Sequence, residues 1–138
     1  VVRRLPDLLV PYRFAERGIR VAGRWYPTLA MPWADGTPLG RWVETHREDP
    51  QRLRRCAGAL GAALARLEEA GVAHGDWQHD NILVADDGAS VRFVDYDGMY
   101  LPELVGYAAP ELGHPNYQHP ARTSAHYDVG LDRFSCLV

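Results

Sequence analysis

The residues able to do chemistry cluster in His74-Gly75-Asp76-Trp77-Gln78-His79-Asp80-Asn81 and in Val94-Asp95-Tyr96-Asp97-Gly98. An Asp and an Asn five residues apart sit on a loop behind a helix, and a second acidic pair lies at the far end of a hairpin. A hairpin folds back, so Asp95 returns close to Asn81 and oxygen donors converge on one point. Oxygen-only donors suit Mg²⁺, which takes one or two carboxylates and completes its shell with phosphate oxygens. Asp76 is then free to accept a hydrogen bond from an incoming hydroxyl. Asp95 directly follows the strand and is favoured over Asp97 as the metal ligand.

The elements that position these loops are legible in part. Asp49 can cap a helix and Pro50 can take its first position. Leu53, Cys56, Leu60, Leu64 and Leu67 then form one apolar stripe, which Gly71 ends as a left-handed cap. Ile82-Leu83-Val84 and Val91-Arg92-Phe93-Val94 flank Asp86-Asp87-Gly88, a hairpin turn signal. Upstream, the apolar runs 8–14 and 19–33 predict two antiparallel strands, with Glu16-Arg17-Gly18 as the turn between them. Residues 34–38 form a connector to a short helix carrying Leu39, Trp42 and Val43 on one face. Residues 99–127 are irregular and hold four of the ten prolines, and a final helix is expected from about residue 128.

The chain has 138 residues, at most one domain, with a formal net charge of -3. That balance argues for no nucleic acid or membrane surface as partner. No apolar run is long enough to span a bilayer. Cys56 and Cys136 are far apart, which argues against a disulfide framework and for a reducing, cytoplasmic setting. All 15 basic residues are Arg, and Lys is absent.

At these residues the chain resembles the protein-kinase superfamily. His74-Gly75-Asp76 with Asn81 is similar to the catalytic loop, and Asp95-Tyr96-Asp97-Gly98 to the metal-binding motif that follows it. Ala109-Pro110-Glu111 resembles the end of the activation segment. Asp132-Arg133-Phe134-Ser135 resembles the start of the buried helix behind the catalytic loop, where Asp132 would hold the loop backbone. Met31-Pro32-Trp33-Ala34-Asp35-Gly36 is similar to the hinge between lobes, and residues 111–120 to a stretch of bacterial eukaryotic-like Ser/Thr kinases. The resemblance implies an α+β, protein-kinase-like fold with a truncated small lobe of two strands and hinge, residues 1–33. The N-terminal part of the helical large lobe would occupy residues 34–138.

The resemblance also implies roles, with ATP and Mg²⁺ as cofactors and a protein as substrate. Asp76 would orient or deprotonate the acceptor hydroxyl. Asn81 and Asp95, or Asp97, would hold Mg²⁺ on the nucleotide phosphates. The Pro32 carbonyl and the Ala34 N–H would meet the adenine, with Leu83 under the base. Gln78 stands where such kinases place a phosphate-contacting lysine. Gly75 replaces the arginine that receives an activation-loop phosphate, and residues 96–110 contain no Ser or Thr. Switching by phosphorylation of a loop Ser or Thr is therefore expected to be absent.

A Gly-rich phosphate loop, a strand lysine and its partner glutamate are missing from the sequence, and both ends read as cut. This polypeptide alone is expected not to bind ATP productively. Two other readings remain open: a small-molecule phosphotransferase of the aminoglycoside or choline kinase type, and a non-catalytic pseudokinase binding module. Blander assignments are made elsewhere. His74 is read as structural, the remaining histidines as matching no metal site, Trp25, Trp33 and Trp42 as core or hinge packing, and Arg52, Arg54, Arg55 and Arg66 as a solvated helix face.

Overall fold

The computed structural model describes residues 4–138, so the first three residues of the expected small-lobe segment lie outside it. Its most regular element is α2, Pro50–Glu69, and both ends follow from local chemistry. Asp49 Oδ1 accepts from the Gln51 and Arg52 amides at 3.0 Å each, and Pro50 occupies a position whose N–H would have had no partner. At the other end Gly71 takes φ +74°. The Val72 and Gly71 amides then reach back to the carbonyls of Leu67 (3.0 Å) and Glu68 (2.9 Å), a Schellman closure.

The buried side of α2, through Cys56, Ala63 and Leu67, packs on a three-stranded antiparallel sheet of order β3-β4-β5. Its strands are β3 Thr37–Pro38, β4 Ile82–Val84 and β5 Val91–Phe93. The short helix α1, Leu39–His46, buries Trp42; Leu39 is half-buried and Val43 stays exposed. The Trp42 ring covers the β4–β5 turn: a Cβ on Gly88 would stand 2.8 Å from it. Arg52 and Arg55 donate to the carbonyls of Asp86 (3.2 Å) and Asp87 (3.3 Å) in that turn, and Arg66 pairs bidentately with Asp7. Three of the four arginines read as a solvated face therefore tie α2 to its neighbours.

Only the end of the N-terminal apolar run 8–14, Arg13 and Phe14, enters the hairpin, paired with Ala30 and Leu29. Leu8 and Leu9 are buried, Leu9 bridges Phe93 in parallel, and the Phe93 amide donates to the Leu8 carbonyl at 2.8 Å. The run extends the β5 edge because Leu8 and Leu9 gain more by burial there than in an exposed ribbon. The hairpin itself is β1, Arg13–Val21, against β2, Arg24–Ala30. Its turn is Ala22-Gly23, both at positive φ, as a two-residue hairpin turn requires. Glu16-Arg17-Gly18 lies inside β1, where the register shifts between Ala15 and Ile19, and a Cβ on Gly18 would overlap Thr28.

Both faces of this hairpin are open, so Trp25 and Trp33, the latter 94% exposed, are not core residues; of the three tryptophans only Trp42 packs as expected. The final helix is α3, Asp132–Ser135, starting later than residue 128 because the Gly130 amide bonds to Asp128 Oδ1 in a turn. A second small cluster gathers Ala73, Tyr100, Ala109 and Tyr127. Among the described residues no helix is long and apolar enough to cross a membrane. The architecture is mixed α and β with two small antiparallel sheets.

Candidate functional site

The loop 74–81 is held from below. Asp132, at the start of α3, is buried, and its two carboxylate oxygens accept from the amides of His74 (2.5 Å) and Gly75 (2.8 Å). His74 is fully buried between Phe93 and Tyr96. Its Nε2 lies 3.0 Å from the Val94 carbonyl, and burial holds its pKa below the ordinary imidazole value. That is a neutral structural histidine with Nε2–H as the donor. It links the start of loop 74–81 to the strand that leads to Asp95. The Val94 amide in turn donates to the Asn81 carbonyl at 3.0 Å.

Asp76 and Asn81 meet. Asn81 Nδ2 donates to Asp76 Oδ2 at 2.9 Å and to the Asp76 carbonyl at 3.1 Å. The other oxygen, Asp76 Oδ1, accepts from the His114 amide at 2.6 Å. Each carboxylate oxygen keeps a free lone pair, so the group is aimed without being saturated. Gln78 Nε2 donates to Asn81 Oδ1 at 3.2 Å, and its own Oε1 accepts from the Asp80 amide. Gln78 is thus within the site and fixes the amide orientation of Asn81.

Asp95 and Asp97 are both exposed. Asp95 adopts φ +65°, a left-handed conformation that few non-glycine residues take and that gathers at functional sites. Glu111 shows where the acidic field converges. Its pKa is raised first by burial and then by the carboxylates of Asp76, Asp95 and Asp97. Carboxylates close enough to raise the pKa of Glu111 make a setting that favours a cation. Among the described residues no three His, Cys, Asp or Glu side chains stand together as a complete metal cage. The oxygen-bearing side chains that could share a Mg²⁺ ion with phosphate oxygens are Asn81 and the carboxylate of Asp95 or Asp97.

The residues expected around a base are less closely gathered. Leu83 is half-buried in β4 and faces Gly36, whose Cβ would stand 2.9 Å from its own. Ala34 is half-buried, and Pro32 is exposed, lining an open cavity with Tyr12, Arg13 and Met31 that includes neither Ala34 nor Leu83.

Sequence reading missed the clamp above the loop. Arg122 Nη1 donates to the Gly75 carbonyl at 2.9 Å and to Gln118 Oε1, while Gln118 Nε2 stands 3.5 Å from the same carbonyl. These two residues lie in the Pro-rich irregular stretch, where no periodicity marks an inward-facing side chain.

No family model matches the chain, and no curated protein matches it in sequence. Among solved structures, the kinase PK-1 of Cydia pomonella granulovirus is similar in fold, with a TM-score of 0.65 at 18% identity. The superposition covers 98% of this chain and 48% of the viral kinase, so the chain spans about half of that protein's length. The likeness establishes a protein-kinase-like fold.

Proposed function

We propose that this chain carries the catalytic half of an ATP- and Mg²⁺-dependent protein kinase that transfers the γ-phosphate to a Ser or Thr hydroxyl. The observation that carries the reading is the 2.9 Å bond from Asn81 Nδ2 to Asp76 Oδ2, on a loop whose backbone Asp132 holds by two amides. Asp76, oriented by donors on both oxygens, accepts the proton of the acceptor hydroxyl and leaves that hydroxyl oxygen's lone pair aimed at the phosphorus. Asn81 and Asp95 would hold a Mg²⁺ ion, which would supply positive charge against the charge on the transferred group. Pro32, Ala34 and Leu83 are the residues that would meet the adenine, with Pro32 lining an open cavity that neither of the other two enters. The free Cys56 and Cys136 fit a reducing, cytoplasmic setting.

The test is phosphotransfer by the protein expressed from its complete reading frame, with labelled ATP and protein or aminoglycoside acceptors offered side by side. Label on protein Ser or Thr is expected, and Asp76→Asn lowers turnover by about 10²–10⁴-fold. Label on the sugar alone would move the activity to the small-molecule class. An Asp76→Asn variant with undiminished turnover removes the assignment altogether.

One observation favours a second reading, a nucleotide-independent binding module. Gln78 already takes one of the two lone pairs of the Asn81 amide oxygen that a metal would need. Thermal shift of the protein expressed from its complete reading frame, with ATP and Mg²⁺, separates the two, since a binding module of this kind gains no stability from either.

A further inference from the structure

Gly75 cannot carry any side chain. It sits at φ +85°, and a Cβ there would overlap the carbonyl oxygen of Gly98 in the metal-binding motif. A loop that cannot be anchored from its own position 75 must be anchored from outside. Below, Asp132 takes its amides. Above, everything comes from residues 113–122. The His114 amide bonds to Asp76 Oδ1 at 2.6 Å. Gly113 lies so close that its Cβ would stand 2.7 Å from both Asp76 Oδ1 and Gln118 Nε2. Arg122 closes the arrangement by binding the Gly75 carbonyl and Gln118 through one nitrogen, Nη1.

The other two guanidinium nitrogens of Arg122, Nε and Nη2, are buried with no hydrogen-bond partner. A buried, unpaired donor penalises folding, and a charged one more so. Burial accordingly holds the Arg122 pKa below its ordinary value, against the pull of Asp132, Asp76 and Glu111. A side chain kept for stability alone would be better replaced by an apolar one of similar length.

We propose that Arg122 is a positioning residue that locks segment 113–122 onto loop 74–81 at Gly75, so that the site is assembled without a phosphate on the preceding stretch 96–110, which holds no Ser or Thr. The proposal rests on the phosphotransfer reading for its kinetic consequence but not for its structural one. Arg122 replaces, from a different place in the chain, the support that a phosphorylated segment would give.

The experiment uses the complete protein and the variants Arg122→Met and Arg122→Lys, the first removing the charge and the second keeping one donor within reach of the carbonyl. Arg122→Met is expected to unfold at the same or a higher temperature. Its kcat should fall by about 10²-fold, the scale of a small misplacement of a reacting group. KM for ATP should stay within about twofold, the signature of lost orientation rather than lost binding. Arg122→Lys recovers part of kcat, and phosphatase treatment of the wild type changes nothing. Wild-type turnover in the Met variant, or activity lost on phosphatase treatment, overturns the proposal.

Hydrogen exchange decides the matter independently of activity, and Arg122→Gln serves if the Met variant does not fold. Faster exchange at residues 74–78 and 113–118, with α2 unchanged, supports the lock; unchanged exchange at both overturns it. Should the wild type transfer no phosphate, the kinase reading fails while the exchange result still stands for or against Arg122.

Discussion

Gly75 and Gly98 meet backbone to backbone, so loop 74–81 and segment 94–98 are pressed together with no room for a methyl group between them. The obstacle is a carbonyl of the main chain, which no rotamer change can move. Gly75→Ala adds left-handed strain to this overlap and is expected to cost about 2–4 kcal/mol of stability. Urea unfolding with an unchanged slope would measure it.

Asp132 accepts two buried amide bonds, and both lose their acceptor in Asp132→Ala. The expected loss is about 3–5 kcal/mol, the range for dismantling a buried charged group that others depend on. Native-state exchange of the His74 and Gly75 amides should rise before that of α2. Protection retained at both amides would remove Asp132 from this role.

Asp95 and Asp97 are expected to differ in function although both are exposed. Asp95 follows the strand tied to Asn81 and holds the left-handed backbone. Asparagine tolerates that conformation, so Asp95→Asn changes charge with little change in fold. Its turnover at saturating Mg²⁺ should fall by about 10²-fold or more, with Asp97→Asn within about tenfold of wild type. The reverse order would make Asp97 the ligand.

Arg66 grips Asp7 bidentately at 2.5 and 2.8 Å. The guanidinium lowers the Asp7 pKa from 3.8 to about 2. A carboxylate whose folded pKa is depressed stabilises the fold above its unfolded value and loses that contribution as pH falls through the folded one. The effect is therefore complete above about pH 4 and fades toward pH 2. Because both side chains are substantially exposed, Asp7→Asn at neutral pH should cost no more than about 1 kcal/mol. The ¹³C shift of the Asp7 carboxyl, followed by NMR titration, gives the midpoint.

How much of this was legible in the chain differs by element. The cap of α2, its closing glycine and the β4–β5 hairpin follow from neighbouring residues, because caps and tight turns are satisfied within a few positions. The β1–β2 turn was misplaced, since Gly18 looks like a turn residue yet serves to clear Thr28 across the ribbon. Leu8 and Leu9 read as hairpin but pair with Phe93, a contact 84 positions away for Leu9.

By itself the sequence determined the chemical inventory: an Asp and Asn at five-residue spacing, an acidic pair after a hairpin, no lysine, and no Ser or Thr between residues 96 and 110. Only the tertiary structure decided what holds that inventory in place. Asp132 reaches Gly75 across 57 positions and Arg122 across 47. Hydrogen bonds at such separations leave no periodic trace, because they depend on where an irregular chain returns and not on which residues stand next to one another.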